Sequence, residues 1–534
     1  MKVQKSRIAI IFLCYVALMG ISFSNPIIIK WIMDRGMIEK NLSEILKYAL
    51  LLLLLVMAEE GIGILQTRFF LNLHNDVVLN LYMKVFQKLL RVKVKYFAKH
   101  NPTELMNRLS TDIENVSLLV DSSMMNVFRY VFQIISGIVG LFVIDWRLAL
   151  LVLFTVPVKY FLIRIFADKK EMAVRDWMEK ETEFAAWFAD TVQGVREIKL
   201  WNLYRGKSRE FRNRKKEALA LGKKSSLIET YSYASDSVLH GALITALYGI
   251  GGYLVCRGEI TIGGITAFLS YSNYVTGPIS LLFNLRFLFA QIKPSMERLR
   301  EFLKEETEHN EKGGADIRQF EEEIRFDHVK FGYEEQPVLK DVSLRVKKGE
   351  KVALIGENGS GKSTVVSLLL RFLEPDEGQI YIDGQDIRTC RLESYRSLFS
   401  VVSQDIYLFC DTVRKNIFMG EERDGDLENT GEKLQLHSLL RSLPKGYDSV
   451  LEGNGENLSG GERQKIAFLR AIIKDAPILI LDEATAHMDK EYDNFIHNYI
   501  LRECPDKTLI MITHKREHLE GMNQIYEIKE GVVQ

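Results

Sequence analysis

The chain divides sharply in hydropathy. Over its first 290 residues, apolar runs alternate with charged stretches, and several runs reach the roughly 20 residues that a helix needs to cross a bilayer's hydrocarbon core. Six are predicted as helical spans: Ile8–Met33, Ile45–Phe70, Val127–Ile144, Leu148–Phe166, Val238–Val255 and Ile262–Ala290. Lys2, Lys5 and Arg7 precede the first, as in a signal peptide, but the run is too long and no small-residue cleavage site follows, so it reads as a retained span. The two long connections, 71–126 and 167–236, carry most of the basic residues, among them Arg91, Lys93, Lys169 and Lys170, whereas the links near Asp145 and Gly258 are short. Lys and Arg collect on the cytoplasmic side, so the long connections and the N-terminus are placed there. Leu79–Leu90 and Glu183–Trp201 alternate charged and apolar residues at helical spacing, which predicts that the membrane helices continue into the cytoplasm.

Past residue 290 the pattern changes. Residues 291–322 are rich in charge, with Glu305, Glu306, Glu308 and Glu311 ahead of Gly313-Gly314, and read as a linker. From 323 to 534, short β-type runs alternate with helical patterns: Ile324–Phe331, Lys351–Gly356, Gln379–Ile382, Ser400–Val402, Ile478–Leu481 and Thr508–Ile512. That order predicts an α/β domain with a largely parallel sheet. The expected fold is thus a multidomain membrane protein, with an all-α six-helix transmembrane domain at 1–290 and an α/β phosphate-loop domain at 323–534.

Composition narrows the choices further. The 534 residues exceed what one ordinary core organises. Lys plus Arg and Asp plus Glu both total 70, so no bulk charge draws the chain to nucleic acid, and none is expected as a partner. The five cysteines are scattered without a CxxC pair and read as free thiols.

Some polar residues fall inside the spans. Glu59 and Glu60 lie near mid-membrane by position, where an ionisable group suggests either contact with a cationic substrate or proton, or interhelical hydrogen bonding. Arg286 and His240 sit nearer the inner ends of their spans, and snorkelling to the headgroups accounts for the arginine. Pro26, Pro157 and Pro278 each remove a helix hydrogen bond and predict kinks.

Two motifs carry chemistry. Gly356-Glu357-Asn358-Gly359-Ser360-Gly361-Lys362-Ser363 fits G-x-x-x-x-G-K-[ST] between a strand and a helix that continues through Thr364. Its glycines let backbone N–H groups turn toward nucleotide phosphates, Lys362 adds charge, and the Ser363 hydroxyl can ligate Mg²⁺. The apolar run Ile478–Leu481 ends in Asp482-Glu483, which places Asp482 to meet that Mg²⁺ and Glu483 to polarise an attacking water.

Leu458-Ser459-Gly460-Gly461-Glu462-Arg463, shortly before this strand, resembles the LSGGQ signature of the ATP-binding cassette (ABC) family. The resemblance implies that Ser459, Gly460 and Gly461 complete the ATP site of an opposite subunit, so that a chain with one cassette works as a dimer of half-transporters. It extends over the cassette: Tyr333 resembles the adenine-stacking aromatic, Gln404 the glutamine that senses Mg²⁺, His514 the γ-phosphate histidine, and Asp489 the aspartate closing the loop across the dimer. In the membrane half, Tyr96-Phe97, Thr103-Glu104-Leu105 with Arg108-Leu109 and Asp112, and Gly194–Lys199 resemble the inner connections of the six-helix exporter type; short coupling helices are expected near Ser110–Val116 and Tyr204–Phe211.

Three features depart from the family pattern: Ala486-His487-Met488 before Asp489, Glu462 in place of glutamine, and no helical tail beyond Gln534. The first leaves open whether the partner is an identical chain. The resemblance implies ATP-driven export of a peptide, amphiphilic drug-like molecule or lipid, with a second half-transporter and membrane lipid as partners, in a multi-pass membrane setting that suits a bacterial inner membrane. A membrane-tethered kinase or soluble ATPase is disfavoured by the signature; an ATP-gated channel or sensor is separated only by vectorial flux.

Overall fold

The computed structural model describes residues 2–283, 285–308, 314–333, 336–420, 427–485 and 488–534. The Arg286 side chain, Ala486 and His487 lie outside the described residues. The chain forms two compact units, Met1–Gln87 with Thr103–Lys304, and Lys88–Pro102 with Glu305–Gln534.

The first unit is helical. Its elements are α1 (Lys2–Trp31) with a π-helical extension (Ile32–Ile38), and α2 (Leu42–Leu89), whose end leads to α3 (Val94–Lys99) in the second unit. The unit resumes with α4 (Pro102–Ser117), α5 (Ser122–Ile144), α6 (Trp146–Gln193), α7 (Val195–Leu200), α8 (Tyr204–Cys256), α9 (Ile262–Phe283) and α10 (Leu285–Lys304). Five helical stretches among the described residues are long and apolar enough to cross a membrane: Ser6–Ile38, Leu42–Leu89, Pro102–Ile144, Trp146–Gln193 and Tyr204–Cys256. The sixth expected span corresponds to α9, whose Ser270, Ser272, Asn273 and Thr276 dilute its hydropathy. It is buried through Ala267, Phe268, Tyr271 and Val275. Ser136, Gly137 and Gly140 on α5 give it room: a Cβ on Gly140 would lie 2.4 Å from the Tyr271 ring, the close approach that small residues permit between membrane helices. Asp34 anchors its start, accepting from Thr261 Oγ1 at 2.6 Å and Gly263 N at 2.9 Å.

Three sequence expectations need correction. Ser110–Val116 is not a separate coupling helix but the interior of α4, and Tyr204–Phe211 is the start of the 53-residue α8. The short helices are instead α3 and α7. α3 belongs to the cassette unit, where Val92 pairs with Thr307 and the Lys93 ammonium lies 2.9 Å from Glu306 and 3.4 Å from Glu374. Residues 291–304, the first part of the expected linker, form all but the first six residues of α10.

The second unit continues with β1 (Glu323–Tyr333), β2 (Gln336–Lys347), β3 (Lys351–Gly356), α11 (Lys362–Leu369), β4 (Glu377–Ile382), β5 (Gln385–Asp386), α12 (Leu392–Ser397) and β6 (Phe399–Val402). Then follow α13 (Val413–Phe418), α14 (Leu427–Lys433), α15 (His437–Ser442), α16 (Gly460–Lys474), β7 (Ile478–Asp482), α17 (Lys490–Glu503), β8 (Thr508–Ile512), β9 (Gln524–Lys529) and β10 (Val532–Val533). One ten-stranded sheet runs β5-β4-β1-β2-β10-β9-β3-β8-β7-β6. β9, β3, β8, β7 and β6 are parallel, whereas β2, β1, β4 and β5 are antiparallel. β7 and β8 are buried at every position, the mark of strands covered on both faces. Their carboxyl ends and that of β3 converge, which is where open α/β sheets place ligands.

Candidate functional site

The phosphate loop, 357–361, joins β3 to α11. Gly361 is the N-cap of α11 at φ +106°, and a Cβ there would lie 2.5 Å from Leu339 Cδ2, so only glycine has both the conformation and the room. Gly356, at φ +147°, is pressed against the Ile528 carbonyl. Asn358 and Gly359 are exposed at the tip, and Thr364 is buried in the first turn of the helix. Lys362 Nζ donates to the carbonyls of Gly356 at 3.0 Å and Glu357 at 2.7 Å. Burial pulls this ammonium below the usual lysine range, while the charges of Glu483 and Asp482 oppose that shift. The Ser360 hydroxyl is buried without a hydrogen-bond partner. A buried ammonium, an orphaned hydroxyl and a helix N-terminus are groups that a polyphosphate satisfies.

Asp482 ends β7 and accepts from the Ser363 hydroxyl at 3.2 Å. Burial raises its pKa, with the Ser363 hydrogen bond opposing. Adjacent hydroxyl and carboxylate oxygens are the hard donors that Mg²⁺ takes, so these residues fit the ion. Gln404 is exposed just after β6, and the neighbouring Asp405 adds to the negative field at Asp482.

Glu483 leaves the strand with φ +46°, unusual for a non-glycine residue, and its N–H donates to Ile512 O at 3.2 Å. Its carboxylate Oε1 lies 2.8 Å from Nε2 of His514, which follows β8. Residues far apart in sequence thus meet in one cluster: Lys362, Ser363, Asp482, Glu483 and His514.

The other expected residues stand apart. Tyr333 is 45% exposed with its ring edge-on to Phe331. Asp489 is the N-cap of α17, accepting from Tyr492 N at 2.8 Å. Ser459 is the N-cap of α16 in a capping box: Glu462 Oε2 accepts from the Ser459 N–H and hydroxyl, both at 2.8 Å, and Gly460 and Gly461 form the first turn. The glutamate at 462 therefore fixes the serine rotamer. No hydrogen bond or ion pair joins Ser459 to the phosphate loop among the described residues.

Residues 8–279 match the ABC transporter transmembrane region, and residues 339–486 match the ABC transporter cassette. This chain belongs to the ABC transporter family. The match spans both halves and makes it an integral membrane protein and an ATP-binding, ATP-driven transporter. It is 27% identical over 531 residues to an ATP-dependent lipid A-core flippase of Syntrophus aciditrophicus, covering 99% of this chain and 88% of that protein. To a Staphylococcus aureus ATP-binding/permease protein, assigned provisionally to multidrug export, it is 27% identical over 462 residues, covering 86% and 80%. Its fold matches that of a bacterial Atm1-family ABC exporter solved with ATP bound, with a TM-score of 0.80 at 22% identity, covering 100% of this chain and 95% of the other. The ABC exporter architecture is the one described above.

The membrane unit holds polar groups that sequence reasoning missed. Lys159 on α6 is 3% exposed; its ammonium lies 2.8 Å from Asp236 on α8 and donates to Thr276 O on α9 at 3.1 Å. A charged residue inside the apolar run Leu148–Phe166 was the available signal. Of the expected residues, Glu59 accepts from Arg129 Nη2 at 3.3 Å, and Glu60 is exposed. A cavity of about 990 Å³ opens within the unit, and its lining interleaves apolar side chains, Phe166, Met178 and Tyr233, with charged ones, Lys170, Glu229 and Arg298.

Proposed function

We propose that two of these chains form an exporter that hydrolyses ATP to move an amphiphile, either a lipid or a drug-like molecule, across the membrane. The cluster of Lys362, Ser363, Asp482, Glu483 and His514 at the strand ends carries this reading. Glu483 orients water for in-line attack on the γ-phosphoryl group, and His514, held at 2.8 Å, sits where it can both steady that carboxylate and contact the phosphate. Lys362 neutralises charge on the phosphates, the backbone N–H groups around Gly359–Gly361 cradle them, and Tyr333 offers an exposed ring for the adenine. Ser363, Asp482 and Gln404 would hold Mg²⁺, which when bound neutralises developing charge on the β- and γ-oxygens.

Ser459, Gly460 and Gly461 form a helix N-terminus with no hydrogen bond to their own phosphate loop among the described residues, which supports the reading that they serve the nucleotide of a second copy, with Asp489 assigned to the same junction by the family resemblance. The membrane unit supports this substrate class. Its cavity is lined by both apolar and charged side chains, and the named relatives are a lipid A-core flippase and a protein provisionally assigned to multidrug export.

The test is Mg²⁺-dependent ATPase activity of the purified chain in lipid vesicles, with substrate flux followed beside Glu483→Gln. Hydrolysis by a dimer, lost in the variant and accompanied by vectorial flux, supports the proposal. A folded but inactive chain points to a heteromeric partner, and flux that persists in Glu483→Gln points to a channel.

A further inference from the structure

A second group of buried polar side chains lies directly behind His514. α17, which begins at Asp489, presents Asp493 and His497 inward, 3% and 9% exposed, and the segment after β8 returns past them with Lys515 and the 4% exposed His518. These side chains line a cavity of about 240 Å³ whose wall also includes Glu483 and His514. The hydrolytic scheme above uses none of them.

Their contacts form a single chain. The Lys515 ammonium is ion-paired to Asp493 Oδ2. The Lys515 N–H donates to Thr513 Oγ1 at 3.0 Å, and Thr513 Oγ1 lies 3.1 Å from His518 Nδ1. His518 Nε2 faces Asp493 Oδ1 at 2.9 Å, too obliquely for a full hydrogen bond. The arrangement that satisfies these contacts has Thr513 donating to Nδ1 and the histidine proton on Nε2, toward the carboxylate. His497 stacks on His518 with ring centroids 5.1 Å apart. A carboxylate this deeply buried is tolerable only because cationic and polar groups converge on it.

We propose that Asp493 is a positioning residue for ATP hydrolysis, anchoring the segment that carries His514 to the helix begun by Asp489. Lys515 is the residue next to His514, so releasing its ammonium from Asp493 frees the backbone that sets the imidazole against Glu483. The proposal rests on the assignment of Glu483 and His514 to hydrolysis. His518 adds a pH dependence. The groups facing it are Asp493 and His497 from α17 and Thr513 and Lys515 from its own segment, while Glu517 is turned to Lys490 at 2.8 Å. Burial holds His518 below the ordinary histidine range, with Asp493 opposing and His497 and Lys515 reinforcing. Acidification therefore charges a ring that competes with Lys515 for the same carboxylate.

The experiment uses the full chain in lipid vesicles, with ATPase kcat and KM measured from about pH 5 to pH 8 for wild type, Glu483→Gln, Asp493→Asn, Lys515→Gln, the Asp493→Asn/Lys515→Gln pair and His518→Gln. Misplacing a catalytic group by 1 Å costs up to about 100-fold, so Asp493→Asn is expected to lower kcat by about 10- to 100-fold. KM for ATP should change far less than kcat, because Lys362, the phosphate loop and Tyr333 are untouched and His514 is the one phosphate-contacting group displaced. The double variant should be no slower than Asp493→Asn, and His518→Gln should flatten the acid limb of the profile. Retained ATP binding shows that a variant is folded; should Asp493→Asn lose it, Lys515→Gln, which leaves the carboxylate in place, carries the same expectation. Wild-type kcat in Asp493→Asn beside an inactive Glu483→Gln, or additive losses in the double variant, overturns the positioning role and leaves the hydrolytic site standing. Activity in Glu483→Gln overturns both.

Discussion

Replacing Asp236 by asparagine should destabilise the membrane unit more than replacing Lys159 by methionine. The two residues form an ion pair at 2.8 Å, but their side chains differ in exposure, 3% for Lys159 and 33% for Asp236. Asp236→Asn removes the carboxylate from a 3% exposed ammonium that still donates to the Thr276 carbonyl. Removing one partner of a buried pair in this way costs about 3–5 kcal/mol. Lys159→Met removes the buried charge itself and leaves a carboxylate one-third exposed, which water can still solvate; a loss of about 1–2 kcal/mol is expected. The double variant has no stranded charge and should resemble Lys159→Met. The assay is the fraction of monodisperse protein remaining in detergent after heating, taken as a midpoint for each variant. A Lys159→Met midpoint at or below that of Asp236→Asn, or a double variant at the sum of the two losses, refutes the reasoning.

Gly361→Ala forces a Cβ into 2.5 Å contact with Leu339 at φ +106°; backbone strain of about 1–3 kcal/mol is expected, read as weakened ATP binding in a nucleotide titration. Glu462→Gln can still complete the capping box and should leave thermal stability nearly unchanged, whereas Glu462→Ala should cost about 1 kcal/mol. Because burial lowers the folded pKa of His518, the unfolded chain binds its proton first on acidification. The stability this residue contributes is complete above the ordinary histidine pKa of about 6.5 and is lost as pH falls from there toward the folded value. Thermal midpoints of wild type and His518→Gln should therefore diverge above that pH and converge below it.

The phosphate loop and the Asp482-Glu483 strand end were legible because each is a short motif whose backbone geometry is dictated locally, by glycines and by a fully buried apolar run. The contact between Glu483 and His514 was not legible, since the sequence assigned each a separate role and nothing local to either residue encodes the pairing of β7 with β8. β2 escaped the pattern reading because its buried positions, Leu339, Val342, Leu344 and Val346, break alternation opposite the bulged stretch of β1. The coupling helices were misplaced although a start signal was present: Pro102 at the first position of α4 marks the break that hydropathy alone does not show. Asp112, quoted only as part of a resemblance, proves to be 1% exposed and bound to Arg298 through both carboxylate oxygens. Lys159 and Asp236 were illegible as a pair because helices carry no record of which neighbour they face.

The length of α8 has a mechanical meaning. Its 53 residues make a rod of about 80 Å at 1.5 Å each, of which the hydrocarbon core accounts for about 30 Å. Roughly 50 Å of stiff, continuously hydrogen-bonded backbone is left over, so the rod is a lever with its fulcrum in lipid. A tilt of about 5° at the fulcrum sweeps the far end through about 4 Å, more than the length of a hydrogen bond. In the other direction, a modest push at the far end is multiplied as torque where side chains such as Asp236 grip their neighbours. Any such tilt must carry along or break the contacts that hold the rod, among them the Lys159–Asp236 pair at 2.8 Å.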